Sequence, residues 1–292
     1  MSSVTDRRHR FRAVLAGDAC VHPGSVFDPM SARIAEELGF EVGMYAGSTA
    51  SLTVLGAPDL ILLTLTEFAD QARRICRAAR RLPVLVDADH GYGNALNAMR
   101  TVEELETAGV AAMTLEDTVL PRPYGDGQVS LISLEEGMGR VKAALAARDD
   151  PSFVIVARSG VVSVNGVEDA VRRTKAYTAS GADALFYTGI KTRAELEAVA
   201  AVATLPIILG GVDGTELNDR AYLAARGVRI ALQGHQPIVA AQKAVYDTLK
   251  ALRDGVQPGD LPGLPKDDLM ARATRDADYK RWIREFLGGG GA

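Results

Sequence analysis

The sequence predicts an α/β protein built as a (β/α)₈ TIM barrel, on three observations. Short apolar runs recur eight times and alternate with amphipathic segments. Continuous apolar runs of this kind are typical of parallel strands that helices bury on both faces. Two helix-to-strand junctions, residues 106–111 and 179–184, have nearly the same sequence. Eight repeated units favour a closed barrel, and the first junction lacks the glycine-rich phosphate fingerprint of the alternative open sheet.

Each strand is predicted from its apolar run, and each helix from the amphipathic segment that follows. The predicted strands are residues 20–27, 42–47, 84–87, 111–117, 153–158, 184–187, 207–209 and 229–232. Helices are predicted at residues 29–38, 66–79, 99–108, 167–180 and 193–203. Gly39, Gly109 and Gly181 follow three of these helices, and glycine commonly ends a helix in the left-handed conformation.

Two regions follow from the change in composition after Leu252. Residues 1–253 are predicted to form the catalytic barrel, and residues 254–292 a linker followed by a C-terminal helical extension. Tyr279, Trp282 and Phe286 lie at helical spacing in that extension. We expect them to pack on another subunit, because the linker allows the extension to leave its own barrel. Residues 288–292 are expected to be a disordered tail.

Composition excludes several classes of function. The 292 residues are 47% hydrophobic and carry a net charge of −4, so a large core is expected and a nucleic-acid partner is not. No apolar run reaches the roughly 18–20 residues of a membrane span, and the charged N-terminus does not resemble a signal peptide. Cys20 and Cys76 lack metal-motif spacing, which suits a reducing cytoplasm.

Acidic residues mark the carboxyl ends of the predicted strands, where barrels of this class place their chemistry. Asp87 and Asp89 follow the third strand, Glu116 ends the fourth, and Asp59 lies in the loop after the second. Buried unpaired carboxylates are costly and call for a positive partner. Oxygen ligands of this type favour Mg²⁺, with Mn²⁺ as the alternative. The competing interpretation of each acid alone is a helix cap or a surface ion pair.

Other strand ends carry candidates for binding a substrate. Arg158 could hold a carboxylate with two hydrogen bonds, or pair with Glu116 or Asp117. Gly47 and Ser48 could present backbone N–H groups to an oxyanion, or form an ordinary turn. The remaining candidates are Tyr45 for substrate binding, and His235 and His90 as general acids or substrate contacts; a structural role stays open for both histidines. A cation, an arginine and N–H donors together suit a 2-oxo acid, whose enolate they could stabilise.

The motifs at residues 87–94, 115–117 and 156–158 resemble the isocitrate lyase / phosphoenolpyruvate mutase superfamily. Residues 27–32 and 179–183 fit the same pattern. This resemblance implies a Mg²⁺-dependent enzyme that acts on 2-oxo acids, and a homotetramer whose C-terminal helices are exchanged between subunits. It also implies a role for each matching residue. Asp87 would ligate Mg²⁺, Asp59, Asp89 and Glu116 would hold its waters, Arg158 would bind substrate, and Gly47 with Ser48 would receive the substrate carboxylate.

Departures from the superfamily pattern indicate a subgroup. The loop at 118–125 has neither the catalytic Cys of the isocitrate and methylisocitrate lyases nor the Lys and Asn of the phosphorus–carbon enzymes. With His90 and His235, it is most similar to the oxaloacetate decarboxylase members. Residues 210–213 lack the aromatic hydroxyl that decarboxylase members tend to carry there, and residues 159–161 lack the acidic or amide side chain of many superfamily members. Both departures predict a larger or less polar pocket and a substituted 2-oxo acid as substrate.

The function expected from the sequence is therefore Mg²⁺-dependent decarboxylation of oxaloacetate, or of a substituted 2-oxo acid, to pyruvate or its analogue and CO₂. Two alternatives stay open. The first is a C–C lyase or phosphonopyruvate-type P–C bond enzyme of the same superfamily. The second is a non-catalytic barrel that binds a 2-oxo acid.

Overall fold

A computed structural model describes residues 3–125, 127–212 and 216–288. Its eight strands form one parallel sheet in sequential order. The strands are β1 (Gly24–Ser25), β2 (Gly43–Tyr45), β3 (Val84–Asp87), β4 (Ala112–Glu116), β5 (Val154–Ser159), β6 (Ala184–Thr188), β7 (Ile207–Gly210) and β8 (Val228–Ala231). The (β/α)₈ prediction is confirmed, and each strand lies within its predicted run or within one residue of it.

The first strand is shorter than expected, and the sheet closes just before it. Val21 forms a parallel bridge with Ile230 of β8, with its N–H donating to the Arg229 carbonyl at 2.9 Å. Closure through a bridge leaves only two residues of the predicted 20–27 run in β1 itself.

The helices of the barrel surround the sheet. They are α1 (Val4–Ala16), α2 (Pro29–Glu37), α3 (Gly47–Ala50), α4 (Leu65–Ala78), α5 (Ala95–Thr107), α6 (Leu134–Ala147), α7 (Val161–Asn165), α8 (Val167–Ala179), α9 (Arg193–Ala200) and α10 (Arg220–Ala225), with a π-helical turn at Ser51–Leu55. Gly109 and Gly181 have φ values of 84° and 91°, so the left-handed stops predicted at the two similar junctions are present.

Alternation along the strands divides the core into an inner and an outer layer. Met44 and Leu85 belong to the cluster inside the barrel, whereas their neighbours Tyr45 and Val86 pack in the layer between sheet and helices. Phe11 of α1 joins the inner cluster from the amino-terminal end, so α1, which the sequence did not predict, covers the bottom of the barrel. The opposite, carboxyl-terminal end is left for the loops.

The chain divides into two compact units, residues 1–235 and 236–292. The second unit contains α11 (Gln236–Arg253), a 3₁₀ turn at Pro258–Asp260, α12 (Leu269–Thr274) and α13 (Asp276–Phe286). The domain boundary at 253/254 and the subunit exchange of the extension stay predictions. Of the tail at 288–292, only Gly288 is among the described residues. Across the described parts of the chain, no helix is long and apolar enough to cross a membrane.

Candidate active site at the carboxyl end of the barrel

Three charged side chains meet inside the barrel mouth. Arg158 of β5 lies opposite Glu116 of β4 in the strand register, and its guanidinium contacts Glu116 Oε2 at 3.3 Å. The same guanidinium donates a short hydrogen bond to Asp87 of β3. These residues share the inner face because Leu85, two positions before Asp87, belongs to the inner cluster. The structure therefore brings Asp87, Glu116 and Arg158 together.

Two residues that the sequence did not single out complete this group. Thr114 of β4 donates its hydroxyl to Asp87 Oδ1 at 2.9 Å. The ring centroid of Phe186 lies 5.4 Å from the Arg158 guanidinium carbon. Burial alone would lower the pKa of Arg158, but Asp87 and Glu116 outweigh it and raise that pKa, so Arg158 stays charged. Period-two alternation from Glu116 would have pointed to Thr114.

Asp89 lies in a tight turn beyond β3. Its φ is 47°, and its N–H donates to Asp87 Oδ1 at 3.3 Å. The carboxylate packs against Gly47, where an added Cβ would lie 3.1 and 3.2 Å from the two carboxylate oxygens. Burial, followed by the nearby Asp87 and Glu116 carboxylates, raises the pKa of Asp89 to about 9. Asp89 thus links the acidic group to the start of α3.

The mouth holds more negative than positive charge. Burial raises the pKa of Glu116 to about 7, against the opposing effect of Arg158. Burial and then Asp87 raise the pKa of Asp59, whose side chain lies at the exposed rim. One arginine therefore faces four carboxylates, and an added cation would relieve the repulsion between them.

These acids fit a hydrated divalent cation better than a closed protein cage. Within residues 3–125, 127–212 and 216–288, no three His, Cys, Asp or Glu side chains form a preassembled metal cluster. Mg²⁺ commonly keeps several waters and binds through only one or two carboxylates. The hard oxygen donors at the mouth match that requirement.

His235 also lies at the mouth. Its Nδ1 is 2.9 Å from Ser25 Oγ, a contact that orients the ring. Burial lowers the pKa of His235, while Asp87 and Asp59 act in the opposite direction. The imidazole therefore faces the acids that the sequence analysis grouped with it.

Gly47 and Ser48 form the first turn of α3, which has no side-chain cap. Their position beside Asp89 places the start of this helix next to the acidic group. Backbone N–H groups at an uncapped helix start have no partner within the helix.

The structure does not bring Tyr45 and His90 into the inward-facing group. The Tyr45 ring lies on the outer face of β2, stacked on Phe68 of α4 at 4.9 Å, and its buried hydroxyl has no hydrogen-bond partner among the described residues. His90 is 3% exposed, and burial followed by the Arg140 charge lowers its pKa to about 4. The roles predicted for these two residues stay predictions without support from the geometry.

Asp117, the residue after Glu116, faces the opposite way. Its carboxylate accepts hydrogen bonds from Tyr177 and Arg173 of α8. The reason is the alternation of β4, since Glu116 faces inward and the next residue must face outward.

The loops that depart from the superfamily pattern follow the strands that carry this group or lie near them in the sheet. The loop after β4 begins and ends at an antiparallel bridge between Thr118 and Leu131. Gly210 ends β7 against Phe186, where an added Cβ would lie 2.9 Å from the ring. Position 210 therefore has no room for a side chain, and Asp213 of the same loop lies outside the described residues.

Comparison with known proteins agrees with this architecture. An oxaloacetate decarboxylase of Bradyrhizobium sp. (strain ORS 278) is 58% identical over 282 residues, which cover 97% of each chain. An oxaloacetate acetylhydrolase solved with 3,3-difluorooxalacetate superimposes with a TM-score of 0.85, at 29% identity over 99% of both chains. A phosphonopyruvate hydrolase solved with oxalate and Mg²⁺ gives a TM-score of 0.86, at 28% identity over 98% of this chain and 100% of its own.

The phosphoenolpyruvate phosphomutase family model matches residues 11–253, a span that includes every strand of the barrel and every residue of the mouth described above. With relatives of this similarity along nearly the whole chain, the protein belongs to the phosphoenolpyruvate phosphomutase family, within the isocitrate lyase / phosphoenolpyruvate mutase superfamily.

Proposed function

We propose that this chain is an oxaloacetate decarboxylase that uses Mg²⁺. The observation that carries the proposal is the inward group of Asp87, Glu116 and Arg158, in a chain 58% identical to a relative of that name. The reaction breaks the C3–C4 bond of oxaloacetate and releases CO₂. The bonding electrons move into the enolate of pyruvate, which then takes a proton at C3.

The metal would be held by Asp87, with Asp59, Asp89 and Glu116 around it through water. When bound, it would supply positive charge opposite the oxygen on which negative charge develops. Two neighbouring structures support the substrate class, because one was solved with an oxaloacetate analogue and the other with oxalate and Mg²⁺. Mn²⁺ stays the alternative metal.

The chain's own residues would bind and orient the substrate. Arg158 offers a half-buried guanidinium that its ion pairs with Asp87 and Glu116 orient, so it could hold a carboxylate of the substrate in one orientation. The N–H groups of Gly47 and Ser48 could receive the second carboxylate. His235, held by Ser25, would contact the substrate from the β8 side. Aligning the bond to be broken in this way lowers the entropic part of the barrier.

The experiment is a coupled assay of pyruvate formation from oxaloacetate, with Mg²⁺, with Mn²⁺ and with EDTA. We expect turnover with the metals and its loss with EDTA. Product NMR for oxalate and acetate identifies hydrolysis instead, and ³¹P NMR with phosphonopyruvate identifies P–C cleavage. Substituted oxaloacetates in the same panel test the larger pocket. If unsubstituted oxaloacetate is turned over fastest, the prediction of a substituted substrate is wrong. If no pyruvate forms, the proposal of a decarboxylase is wrong.

We also propose that the enzyme is a homotetramer in which the second unit contacts another copy. That unit exposes large apolar side chains, among them Tyr246, Leu249, Ile283 and Phe286. Exposed apolar patches commonly mark protein interfaces. Light scattering on the full chain should give four copies. A monomer at micromolar concentration would contradict the proposal.

A further inference from the structure

A buried polar cluster lies directly behind the candidate active site, on the outer face of the sheet. One oxygen of Asp117 accepts hydrogen bonds from Ser159 Oγ at 2.9 Å, Tyr177 OH at 2.7 Å and Arg173 Nη1 at 2.9 Å. All four residues are 4% exposed or less. None of them can reach a substrate at the mouth, because they face the helix layer.

This cluster ties together the two strand ends that carry Glu116 and Arg158. Those two residues are paired in the register and face inward. The residues that follow them, Asp117 and Ser159, face outward and are joined by their side chains. The Asp117 N–H also donates to the Arg158 carbonyl at 3.2 Å. Two groups directly after the Arg158 Cα, its own carbonyl and the Ser159 hydroxyl, are therefore bonded to Asp117.

The same residue anchors the loop that follows β4. The Ile132 N–H, at the end of the loop, donates to the Asp117 carbonyl at 2.9 Å. Arg173 holds the Ile132 carbonyl at 3.0 Å. Because Asp117 begins the loop and also binds its end, the rim of the mouth and the Arg158 strand share one anchor.

Contacts on the inner face are poorly suited to fix these strand ends during turnover. Under the proposed function, Asp87 and Glu116 hold the metal while Arg158 holds the substrate, so the ion pairs between them must change as ligands arrive. The outer contacts involve no ligand and can stay formed throughout. The buried ion pair of Asp117 and Arg173 stabilises the fold little more than apolar side chains would in the same place. We therefore assign its contribution to positioning.

We propose that Asp117 and Ser159 are positioning residues that hold Arg158 and Glu116 in register for catalysis, with Arg173 and Tyr177 holding Asp117 in turn. This inference rests on the proposed function. It assigns the outer cluster to the geometry of the site, although no member of the cluster touches the substrate.

Two matched pairs of variants test it. Ser159→Ala removes the bond to Asp117. Ser152→Ala removes an equivalent bond at the other end of the same strand, where Ser152 donates to Asp150 and Asp150 pairs with Arg8. Both serines are buried, at 1% and 4% exposure. Ser159→Ala also removes the 3.2 Å bond that the Val161 N–H donates to Ser159 Oγ, so the stability loss of each variant is measured.

In the second pair, each variant removes the hydroxyl of one buried tyrosine. Tyr177 belongs to α8, and Tyr187 contacts that helix. Tyr177→Phe removes a donor to Asp117. Tyr187→Phe removes the 2.6 Å contact between Tyr187 and Thr174 but no hydrogen bond to Asp117. Urea unfolding confirms that all four variants fold and gives the stability loss of each.

We expect Ser159→Ala and Tyr177→Phe each to lower kcat about 10-fold with little change in KM, since small misplacements at a site carry costs of this order or more. The dissociation constant for oxalate in the presence of Mg²⁺, measured by calorimetry, should rise by a similar factor. Ser152→Ala and Tyr187→Phe should change neither quantity. Equal kcat and oxalate affinity in probes and controls would overturn the inference.

The calorimetry separates the two proposals. If the wild-type enzyme binds oxalate with Mg²⁺ but makes no pyruvate, the proposal of a decarboxylase is wrong. The oxalate affinities of the four variants then still test the positioning role. If it neither binds oxalate nor decarboxylates, both proposals fall together.

Discussion

Arg158 and Glu116 face each other across the β4–β5 register, with their side chains 3.3 Å apart inside the barrel mouth. The same guanidinium donates a hydrogen bond to Asp87 of β3, which pairs with β4 on the side away from β5. Arg158 carries one positive charge, which cannot neutralise both of the acids that it contacts. Asp89 and Asp59 lie near those two acids and add further carboxylates. Burial first, and then the neighbouring carboxylates, raise the pKa values of Glu116 and Asp89. A divalent cation supplies the missing charge, and several expectations follow from where it would bind.

Asp87→Asn should abolish most metal-dependent turnover. The amide keeps the shape of the side chain and an oxygen for the Thr114 hydroxyl, but it removes the charge that would hold the cation. We expect kcat to fall by at least about 100-fold, the scale of losing one electrostatic contact to developing charge. Pyruvate formation across a Mg²⁺ titration measures it.

Asp183→Asn is the matched control. Asp183 is also a half-buried carboxylate paired with an arginine, Arg148, but it precedes β6 at the opposite end of the barrel. It should lose stability and keep kcat. Equal activity of Asp87→Asn and wild type would remove Asp87 from the metal site.

Arg158→Lys should lower kcat/KM for oxaloacetate about 10- to 100-fold, the equivalent of one hydrogen bond to a charged group. A lysine keeps the charge, but its single ammonium cannot reproduce the paired donors of a guanidinium. Steady-state kinetics provide the measurement. Arg148→Lys, which perturbs the Asp183 pair away from the mouth, controls for general effects, and indistinguishable kinetics of the two variants would count against a substrate contact by Arg158.

Gly47→Ala should weaken metal binding. The added Cβ would lie 3.1 Å from Asp89 Oδ1, so the carboxylate must shift by a few tenths of an ångström. Disturbing groups around a metal ligand typically costs about 10- to 100-fold in affinity, and we expect the half-saturating Mg²⁺ concentration to rise within that range.

Gly139→Ala serves as its control, because a Cβ there meets nothing within 4 Å. In the interior of α6 this substitution should stabilise the helix by about 0.5–1 kcal/mol and leave Mg²⁺ dependence unchanged. A Gly47→Ala enzyme with the wild-type Mg²⁺ requirement would show that Asp89 tolerates displacement.

The residues that were correctly predicted to be neighbours each end a strand whose apolar run is clear in the sequence. Asp87, Glu116 and Arg158 each follow a continuous hydrophobic run, and parallel strands of a barrel deliver their ends to one mouth. The sequence did not predict whether each side chain faces the inside of the barrel or the helices, because that depends on pairing between strands. Tyr45 pairs with Val86 in the register and shares its outward face, which one strand alone does not reveal.

His90 illustrates a second limit. It lies beyond the end of β3 in a turn where Asp89 and Tyr92 have positive φ values of 47° and 58°. Alternation no longer applies there, so closeness to Asp89 in sequence did not predict the direction of the ring. The cluster around Asp117 escaped prediction for a related reason, since Arg173 and Tyr177 come from a helix 56 and 60 positions later.

Asp150→Asn should destabilise the fold without affecting catalysis. Asp150 accepts hydrogen bonds from Arg8 of α1 and from the Ser152 N–H, at 2.7 and 2.8 Å, and so fastens α1 to the bottom of the barrel. Hydrogen bonds to charged groups contribute about 1.5–3 kcal/mol each. We expect a loss of about 2 kcal/mol in the free energy of unfolding at pH 7, with kcat unchanged.

The loss should depend on pH in a defined direction. Burial alone would raise the pKa of Asp150, but hydrogen bonds from Ser152 and Arg8 hold it well below the ordinary value of 3.8. A carboxyl whose pKa is lower in the folded state stabilises the fold fully above its unfolded pKa, and this contribution is lost as pH falls toward the folded pKa. Urea unfolding of wild type and Asp150→Asn should therefore differ equally at pH 7 and 5.5 and converge below about pH 4. Asp70→Asn, which breaks an exposed pair with Arg73, should show little difference at any pH. A gap that stays constant down to pH 3 would mean that the Asp150 charge contributes nothing to holding α1 in place.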